Sequence, residues 1–218
     1  MSCAICEIRK EKRFCPAVHG RICPQCCGEQ REVTLDCPSD CIYLQQAREH
    51  ETAHHREDLD PAAMFPQIEV REQFLYDYEP LIVGLSFALA KSARLDRTLA
   101  DVDLIAALAS LAKSYETLAN SGLHYETPLP NMRQQAIVAE VQTMLREYRE
   151  TEQQHLGYTR LRDGDVLRAL VFLLRMAHSR TSGRPKSRAF VDFLFAQFPE
   201  KQSGIAAPEE AESRIIVP

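Results

Sequence analysis

Between residues 66 and 198 the apolar positions recur at the spacing of an α-helix, and Pro, Gly and Asn divide them into blocks. The blocks predict six helices: about 68–78, one that begins near Pro80, one that follows Asp101 or Asp103 and ends at Ser121-Gly122, one that starts after Asn131 and ends at Gly157, one from near Asp163, and about 187–198. Asp101 or Asp103 is expected to cap the third block and Gly122 to end it. The run LIVGLSFALA in the second block is apolar on every side, which predicts a central helix. Short links favour a compact bundle of five or six helices.

The first part of the chain has a different pattern, with short apolar segments set among polar residues. Arg31–Leu35 alternates polar and apolar residues, which predicts a short strand with one buried face, and Gly28 before it suits a turn. Pro38-Ser39-Asp40 is a suitable start for a helix that is apolar near its beginning and almost wholly polar afterwards. We therefore expect one short strand and one outgoing helix in this part.

These patterns divide the chain into four segments. Residues 1–45 form a cysteine-rich module, 46–65 a connecting helix and linker, 66–198 the helical bundle, and 199–218 a flexible tail with the acidic stretch Pro208–Glu212. No internal repeat is visible.

Composition and charge narrow the class of protein. A chain of 218 residues with 45% hydrophobic residues can build a packed core. Its charged N-terminus lacks the apolar run of a secretory signal, and its apolar runs 81–90 and 166–177 are too short to cross a bilayer. We expect a soluble cytoplasmic protein without a membrane contact. A net charge of −5 argues against a protein that coats nucleic acid.

All eight cysteines fall within the first 41 residues, with the spacing C-x2-C-x8-C-x7-C-x2-C-C-x9-C-x3-C. In a reducing compartment such a cluster favours metal binding over disulfides. Two C-x2-C pairs, Cys3/Cys6 and Cys23/Cys26, have the spacing that directs two thiolates at one Zn²⁺. The apolar side chains of this short segment are few, so bound metal would supply folding free energy that a core cannot.

Eight thiolates fill two tetrahedral zinc sites with no ligand left over. The neighbouring side chains of Cys26 and Cys27 diverge, so they are expected to serve different ions in an interleaved arrangement. Our prediction gives Cys3, Cys6, Cys23 and Cys26 to the first ion and Cys15, Cys27, Cys37 and Cys41 to the second. Protein fills every ligand position, so both sites would be structural, without an open position for catalysis.

This alternation of ligand pairs over residues 3–41 resembles the cross-braced and treble-clef zinc fingers, the group that includes RING, B-box and MYND modules. The resemblance implies the role of metal ligand and nothing more specific. The predicted fold is therefore mainly α, with an N-terminal binuclear zinc finger and a five- to six-helix bundle. Three alternatives stay open: His19 pairs with Cys15 and leaves Cys27 free, the cluster holds iron and sulfur, or the thiols are simply buried and free.

His50-Glu51-Thr52-Ala53-His54 formally matches H-E-x-x-H, the zinc-peptidase signature, with Glu72 as a conceivable third ligand. Its flanks are charged, from Arg48 to Asp58, whereas a catalytic helix of this kind is buried. The pattern therefore favours an exposed helix with scattered histidines, or surface metal binding by His50, His54 and His55.

No other pattern in the sequence indicates catalysis. His124, Tyr125 and Glu126 form a polar group before Pro128, and His155 and His178 lie near helix ends, where histidine commonly stabilises the helix dipole. Neither a phosphate-binding glycine loop nor a nucleophile elbow is present in the sequence.

The sequence thus predicts a non-catalytic zinc protein that binds another macromolecule, with a protein as the first choice of partner. One alternative is a nucleic-acid-binding regulator that uses the basic stretches at 9–21 and 180–188. The other is an enzyme with a pocket inside the helical bundle. The sequence gives no oligomeric state.

Overall fold

The structure, a computed structural model, describes residues 1–54, 64–123, 125 and 128–200, without the side chains of residues 52–54. The N-terminal part contains an antiparallel hairpin of two strands, β1 (Arg13–Cys15) and β2 (Gly20–Ile22). Two helices follow, α1 (Pro24–Gln30) and α2 (Ile42–His54). Most of the predicted linker and nearly all of the predicted tail, residues 55–63 and 201–218, lie outside the described residues.

Six further helices make up the bundle. They are α3 (Glu72–Asp77), α4 (Glu79–Leu95), α5 (Asp101–Ser121), α6 (Met132–Leu156), α7 (Asp163–Arg180) and α8 (Ala189–Gln197). The prediction of a mainly α chain is confirmed, and each helical block of the sequence corresponds to one of these helices. No helix in the described part of the chain has the length and apolar character that crossing a membrane requires.

The core of the bundle lies where α5 and α7 pack together, with α4, α6 and α8 around them. Leucines of three helices are fully buried there, among them Leu89, Leu108 and Leu170. The predicted all-apolar helix, α4, is less central than expected, because Val83 on its outer side is 46% exposed. Its small residue Gly84 lets the Met144 sulfur of α6 approach closely, at 3.1 Å from where a Cβ would stand.

Local signals fix the helix ends. Gly122 and Gly157 take left-handed conformations, with φ of 69° and 78°, and end α5 and α6 as predicted. Asn131 caps α6 by accepting the Arg133 N–H at 2.9 Å.

Of the two carboxylates predicted to cap α5, Asp103 does so by accepting the Ala100 N–H at 3.2 Å, whereas Asp101 serves another helix. Its Oδ1 accepts the N–H groups of Phe190 and Val191 in α8, both at 3.1 Å, and its Oδ2 accepts the Ser187 hydroxyl at 2.7 Å. Asp101 is completely buried, and these donors satisfy its charge.

The strand predicted at Arg31–Leu35 is wrong. Residues 32–34 form a turn with a single bridge between Arg31 and Leu35, and the N–H groups of Val33, Thr34 and Leu35 all donate to the Gln30 carbonyl at 3.1 Å. Glu32 adopts a left-handed φ of 53°, which no regular strand contains. Gly28, expected in a turn before the strand, lies within α1.

Candidate metal centre

Residues 3–9 form a tight turn that presents Cys3 and Cys6. The Cys3 N–H donates to the Arg9 carbonyl and the Glu7 N–H donates to the Cys3 carbonyl, both at 2.8 Å. Glu7 takes a left-handed φ of 56°, which reverses the chain. The Ala4 N–H donates to the Arg21 carbonyl at 3.0 Å and so ties this knuckle to β2.

The second pair of cysteines lies at the start of α1. Cys23 is the N-terminal cap, Pro24 occupies the first turn, and the Cys26 N–H donates to the Cys23 sulfur at 3.4 Å. A helix that begins in this way holds Cys23 and Cys26 on the side that faces the knuckle.

The sulfur atoms of Cys3, Cys6, Cys23 and Cys26 all lie within 4.8 Å of one another, and these four cysteines could bind a metal ion. Ligands at the usual zinc–sulfur distance have sulfurs about 3.8 Å apart, so small movements would suffice. Cys3, Cys23 and Cys26 are buried and Cys6 is half-buried. We refer to these residues as the first quartet; they are the four that the spacing assigns to one ion.

The surroundings of the first quartet favour negative charge on sulfur. Burial raises the pKa of Cys3, but N–H groups of Cys6, Cys23 and Ile5 outweigh burial and bring that pKa to about 6. The Cys26 N–H lowers the pKa of Cys23. The Arg9 guanidinium lies 3.9 Å from the Cys23 sulfur and 4.0 Å from the Cys26 sulfur.

The pKa of Cys26 is shifted in the opposite direction from those of Cys3 and Cys23. Burial, followed by its hydrogen bonds with neighbouring sulfurs, raises its pKa to about 12. Four adjacent thiols cannot all ionise unless a cation compensates the accumulated charge. The first quartet is therefore suited to a bound metal ion rather than to a set of independent thiols.

The other four cysteines, Cys15, Cys27, Cys37 and Cys41, line one small cavity of about 10 Å³. We call them the second quartet. Cys15 and Cys27 are buried, whereas Cys37 and Cys41 are half-buried. Among the described residues only the first quartet brings three or more potential ligand atoms within 4.8 Å of one another, so the second quartet is the more open arrangement.

Two arginines are directed at the second quartet. The Arg13 Nη1 donates to the Cys27 sulfur at 3.6 Å, and its guanidinium lies over the Tyr43 ring at 4.5 Å. Arg31 lines the same cavity, and its buried Nε and Nη1 atoms have no hydrogen-bond partner among the described residues. Burial, together with the neighbouring Cys15 and Cys41, raises the pKa of Cys37. Two guanidinium groups thus lie beside the second quartet.

The structure gives no support to the other candidate ligands within its described part. His19 is exposed, with φ of 50°, and Cys27 rather than His19 lines the cavity beside Cys15. His50 lies on the exposed side of α2, and Glu72 is exposed at the start of α3. The His54 side chain, all of His55, His124 and Glu126 lie outside the described residues.

The remaining candidate residues of the bundle segment occupy exposed or half-buried positions. Tyr125 and His155 are exposed. His178 is half-buried near the end of α7, and burial lowers its pKa.

Two cations of the basic stretch 180–188 lie against the N-terminal module. Arg184 Nη1 donates to the carbonyls of Gly28 at 2.9 Å and Arg31 at 2.7 Å, next to the C-terminal end of α1. Lys186 Nζ donates to the Thr34 carbonyl at 2.8 Å and pairs with Asp36 at 2.9 Å.

Other cations of the two basic stretches also contact the protein itself. Arg188 donates to the Leu99 carbonyl at 2.6 Å, and the Arg180 guanidinium lies 3.6 Å from the centre of the Phe193 ring. In the first stretch Arg9 and Arg13 contact sulfurs, and Arg21 pairs with Glu11 at 3.4 Å. Lys10 and Lys12 are exposed.

Glu32 joins the module to the bundle. It is only 2% exposed; its Oε1 pairs with Arg48 at 2.9 Å and its Oε2 accepts the Ser182 hydroxyl at 2.8 Å. Its carbonyl accepts the Lys186 N–H at 2.8 Å, and Arg48 also pairs with Asp192 of α8 at 2.7 Å. The sequence offers no local signal for this joint, because its members are far apart along the chain.

A second, larger cavity lies between α5 and α6 and has a volume of about 570 Å³. Tyr115, Gln142 and Arg149 are among its polar lining residues, and Arg149 is paired with Asp163 at 2.7 Å. None of the lining residues described for it is a His, Cys, Asp or Glu.

Comparison of the chain with protein-family models, curated proteins and solved structures finds no match in any of the three. The candidate site must therefore be interpreted from its own geometry.

Proposed function

We propose that this chain is a non-catalytic zinc protein whose N-terminal finger holds two structural ions and binds another protein. The observation that carries the proposal is the convergence of four sulfur atoms within 4.8 Å in the first quartet. Zinc fits this quartet best, because a tetrahedral, all-thiolate set closes the coordination sphere and needs no redox chemistry.

The order of elements supports the resemblance to treble-clef fingers. A knuckle supplies Cys3 and Cys6, a β-hairpin follows, and a helix supplies Cys23 and Cys26 from its first turn. N–H groups that donate to ligand sulfurs, such as the Cys23 N–H to the Cys3 sulfur at 3.1 Å, are expected around such a metal because they orient its ligands.

A second zinc ion at the second quartet is supported by three features. Its four sulfurs share one cavity, Arg13 donates to one of them, and Arg31 directs unsatisfied, buried donors to the same place. A zinc ion with four thiolates carries a net charge of about −2, which these two guanidinium groups would offset. The ion would draw the sulfurs of this more open quartet together.

The partner is proposed to be a protein because the finger exposes large apolar side chains. Ile8 is 88% exposed and Ile42 is 58% exposed. Exposed apolar groups on a small, rigid module favour contact with another protein, whereas most cations of the two basic stretches are engaged internally. A cytoplasmic location suits the eight thiols, because they need a reducing compartment.

Metal analysis of the purified full chain tests the first half of the proposal. We expect two zinc ions per chain. One ion would contradict the second site, and iron with acid-labile sulfide would contradict zinc.

Co-purification from native lysate tests the second half. Capture of a protein partner should survive nuclease and moderate salt, and it should weaken in Ile8→Ser and Ile42→Ser but not in Val102→Ser, a half-exposed control on α5. Loss of the partner on nuclease treatment, with a steep dependence on salt, would instead support nucleic-acid binding.

A further inference from the structure

The segment between two ligands of the second quartet is also the surface on which the bundle rests. Residues 28–36 lie between Cys27 and Cys37 and offer the loop 182–186 a continuous set of acceptors. These acceptors are the carbonyls of Gly28, Arg31, Glu32 and Thr34 and the carboxylates of Glu32 and Asp36.

Side-chain burial contributes little to fixing the shape of this surface. Four of its acceptors are backbone carbonyls, whose positions depend on the path of the chain rather than on side-chain packing. Of residues 28–36, only Glu32 and Leu35 are buried, and Glu32 holds an unfavourable left-handed φ. Ligation of Cys27 and Cys37 would anchor both ends of the segment.

We propose that metal at the second quartet controls the docking of the loop 182–186 on residues 28–36. Loss of the ion releases the loop and frees the cations of Arg184 and Lys186. This inference rests on the proposed second ion. We call the second quartet a metal-sensitive latch, because its ion would hold the loop 182–186 on residues 28–36. The first quartet would instead maintain the fold of the finger.

The acceptors and donors of the joint explain why release would be cooperative. Glu32 contacts Arg48, Ser182 and the Lys186 backbone together, so a displaced Glu32 breaks all three contacts. Arg48 then retains only Asp192 as an ionic partner among the contacts described for it. Displacement of the turn that contains Glu32 would therefore break the contacts with the loop 182–186, whereas the ion pair between Arg48 and Asp192 of α8 would remain.

Amide hydrogen exchange of the full chain tests the latch, because the Lys186 N–H donates to the Glu32 carbonyl across the joint. Cys41→Ser should reduce the metal content from two ions to one and raise the exchange rate of the Lys186 N–H by at least about tenfold. Exchange at Lys113 of α5 should not change. Ser39→Ala, at an exposed serine in the same loop, should match the unmodified protein.

A reciprocal experiment does not depend on removing a cysteine. If docking and metal binding are coupled, Glu32→Gln should lower the affinity of the second ion, by at most the factor by which metal loss favours release. Competition with a chromophoric chelator measures this affinity, and Glu29→Gln, at an exposed glutamate of α1, is the matched control.

The outcomes separate the two proposals. One ion in the unmodified protein would overturn the second site and the latch together. Two ions, with no faster exchange of the Lys186 N–H in Cys41→Ser and no weaker binding in Glu32→Gln, would overturn the latch and leave the two-zinc finger in place.

Discussion

The N-terminal module, which we propose is a zinc finger, and the helical bundle bury different kinds of side chain. The buried cluster described in the finger consists of five cysteines with Ile22 and Leu35, whereas the cluster in the bundle consists mainly of leucine, alanine and valine. Cysteine side chains are small and bury little apolar surface, so they contribute little of the hydrophobic free energy that stabilises the bundle. Two regions of one chain therefore depend on different sources of stability, and each can be perturbed separately.

Removal of metal should have the largest effect, and the loss of folded structure should be confined to the finger and the loop 182–186 that docks on it. Structural zinc contributes on the order of 10 kcal/mol to small domains of this kind, so chelation or Cys23→Ser should abolish the order of residues 1–41. Backbone amide spectra should lose the dispersed signals of the finger. Circular dichroism should retain most of its helical signal, because the bundle helices contain no cysteine. Collapse of the whole helical signal would contradict this division.

A core truncation should have the reverse selectivity. Leu108→Ala in the fully buried core should cost about 2–5 kcal/mol in the free energy of unfolding, because it removes apolar contacts and leaves a cavity. Urea unfolding followed by circular dichroism measures this cost, and Val102→Ala, half-exposed on the same helix, is the control. The zinc content should stay unchanged; a lower zinc content would mean that the finger depends on the bundle core.

The carboxylate of Asp101 should have an intermediate effect. Asp101→Ala leaves two N–H groups of α8 and the Ser187 hydroxyl without their acceptor, and we expect a loss of about 2–3 kcal/mol. Asp101→Asn keeps one oxygen acceptor and should lose less. Equal losses in the two variants, measured by urea unfolding, would show that charge rather than geometry matters at this site.

His178 should give the smallest effect, visible only as a dependence on pH. Burial lowers its pKa in the folded state, so the unfolded chain binds more protons between the folded and unfolded pKa values. Stability should therefore fall as the pH drops through that window and should be unaffected by His178 above it. His178→Gln should flatten this part of the profile of unfolding free energy against pH, without changing zinc content.

The contrast between the two regions also explains what the sequence could predict. The bundle helices carry local signals, such as Gly122, Gly157 and Asn131, and their periodicity extends over several turns. Strands of three residues are too short for a periodic pattern, so the hairpin of the finger could not be predicted. In α1 the cysteines take positions that an apolar pattern would otherwise occupy.

The candidate site could be predicted where the spacing of nearby cysteines restricts which of them can share one metal ion. The two C-x2-C spacings, together with the divergence of Cys26 and Cys27, grouped the first quartet, whose sulfurs do converge in the structure. The roles of Glu32, Arg48 and Asp192 could not be predicted, because the contacts of Arg48 with Asp192 and of Glu32 with Ser182 join residues 144 and 150 positions apart. Alternation around Glu32 suggested a strand, but tertiary contacts hold that residue in a turn.

The buried Asp101 also affects the order of events when the chain is synthesised. Its partner N–H groups belong to residues that leave the ribosome 89 and 90 positions later. Until then a nascent α5 must keep this charge in water, which delays closure of the core around it. Truncated genes that stop before α8 should therefore yield an open, poorly folded helical body rather than a slightly smaller one.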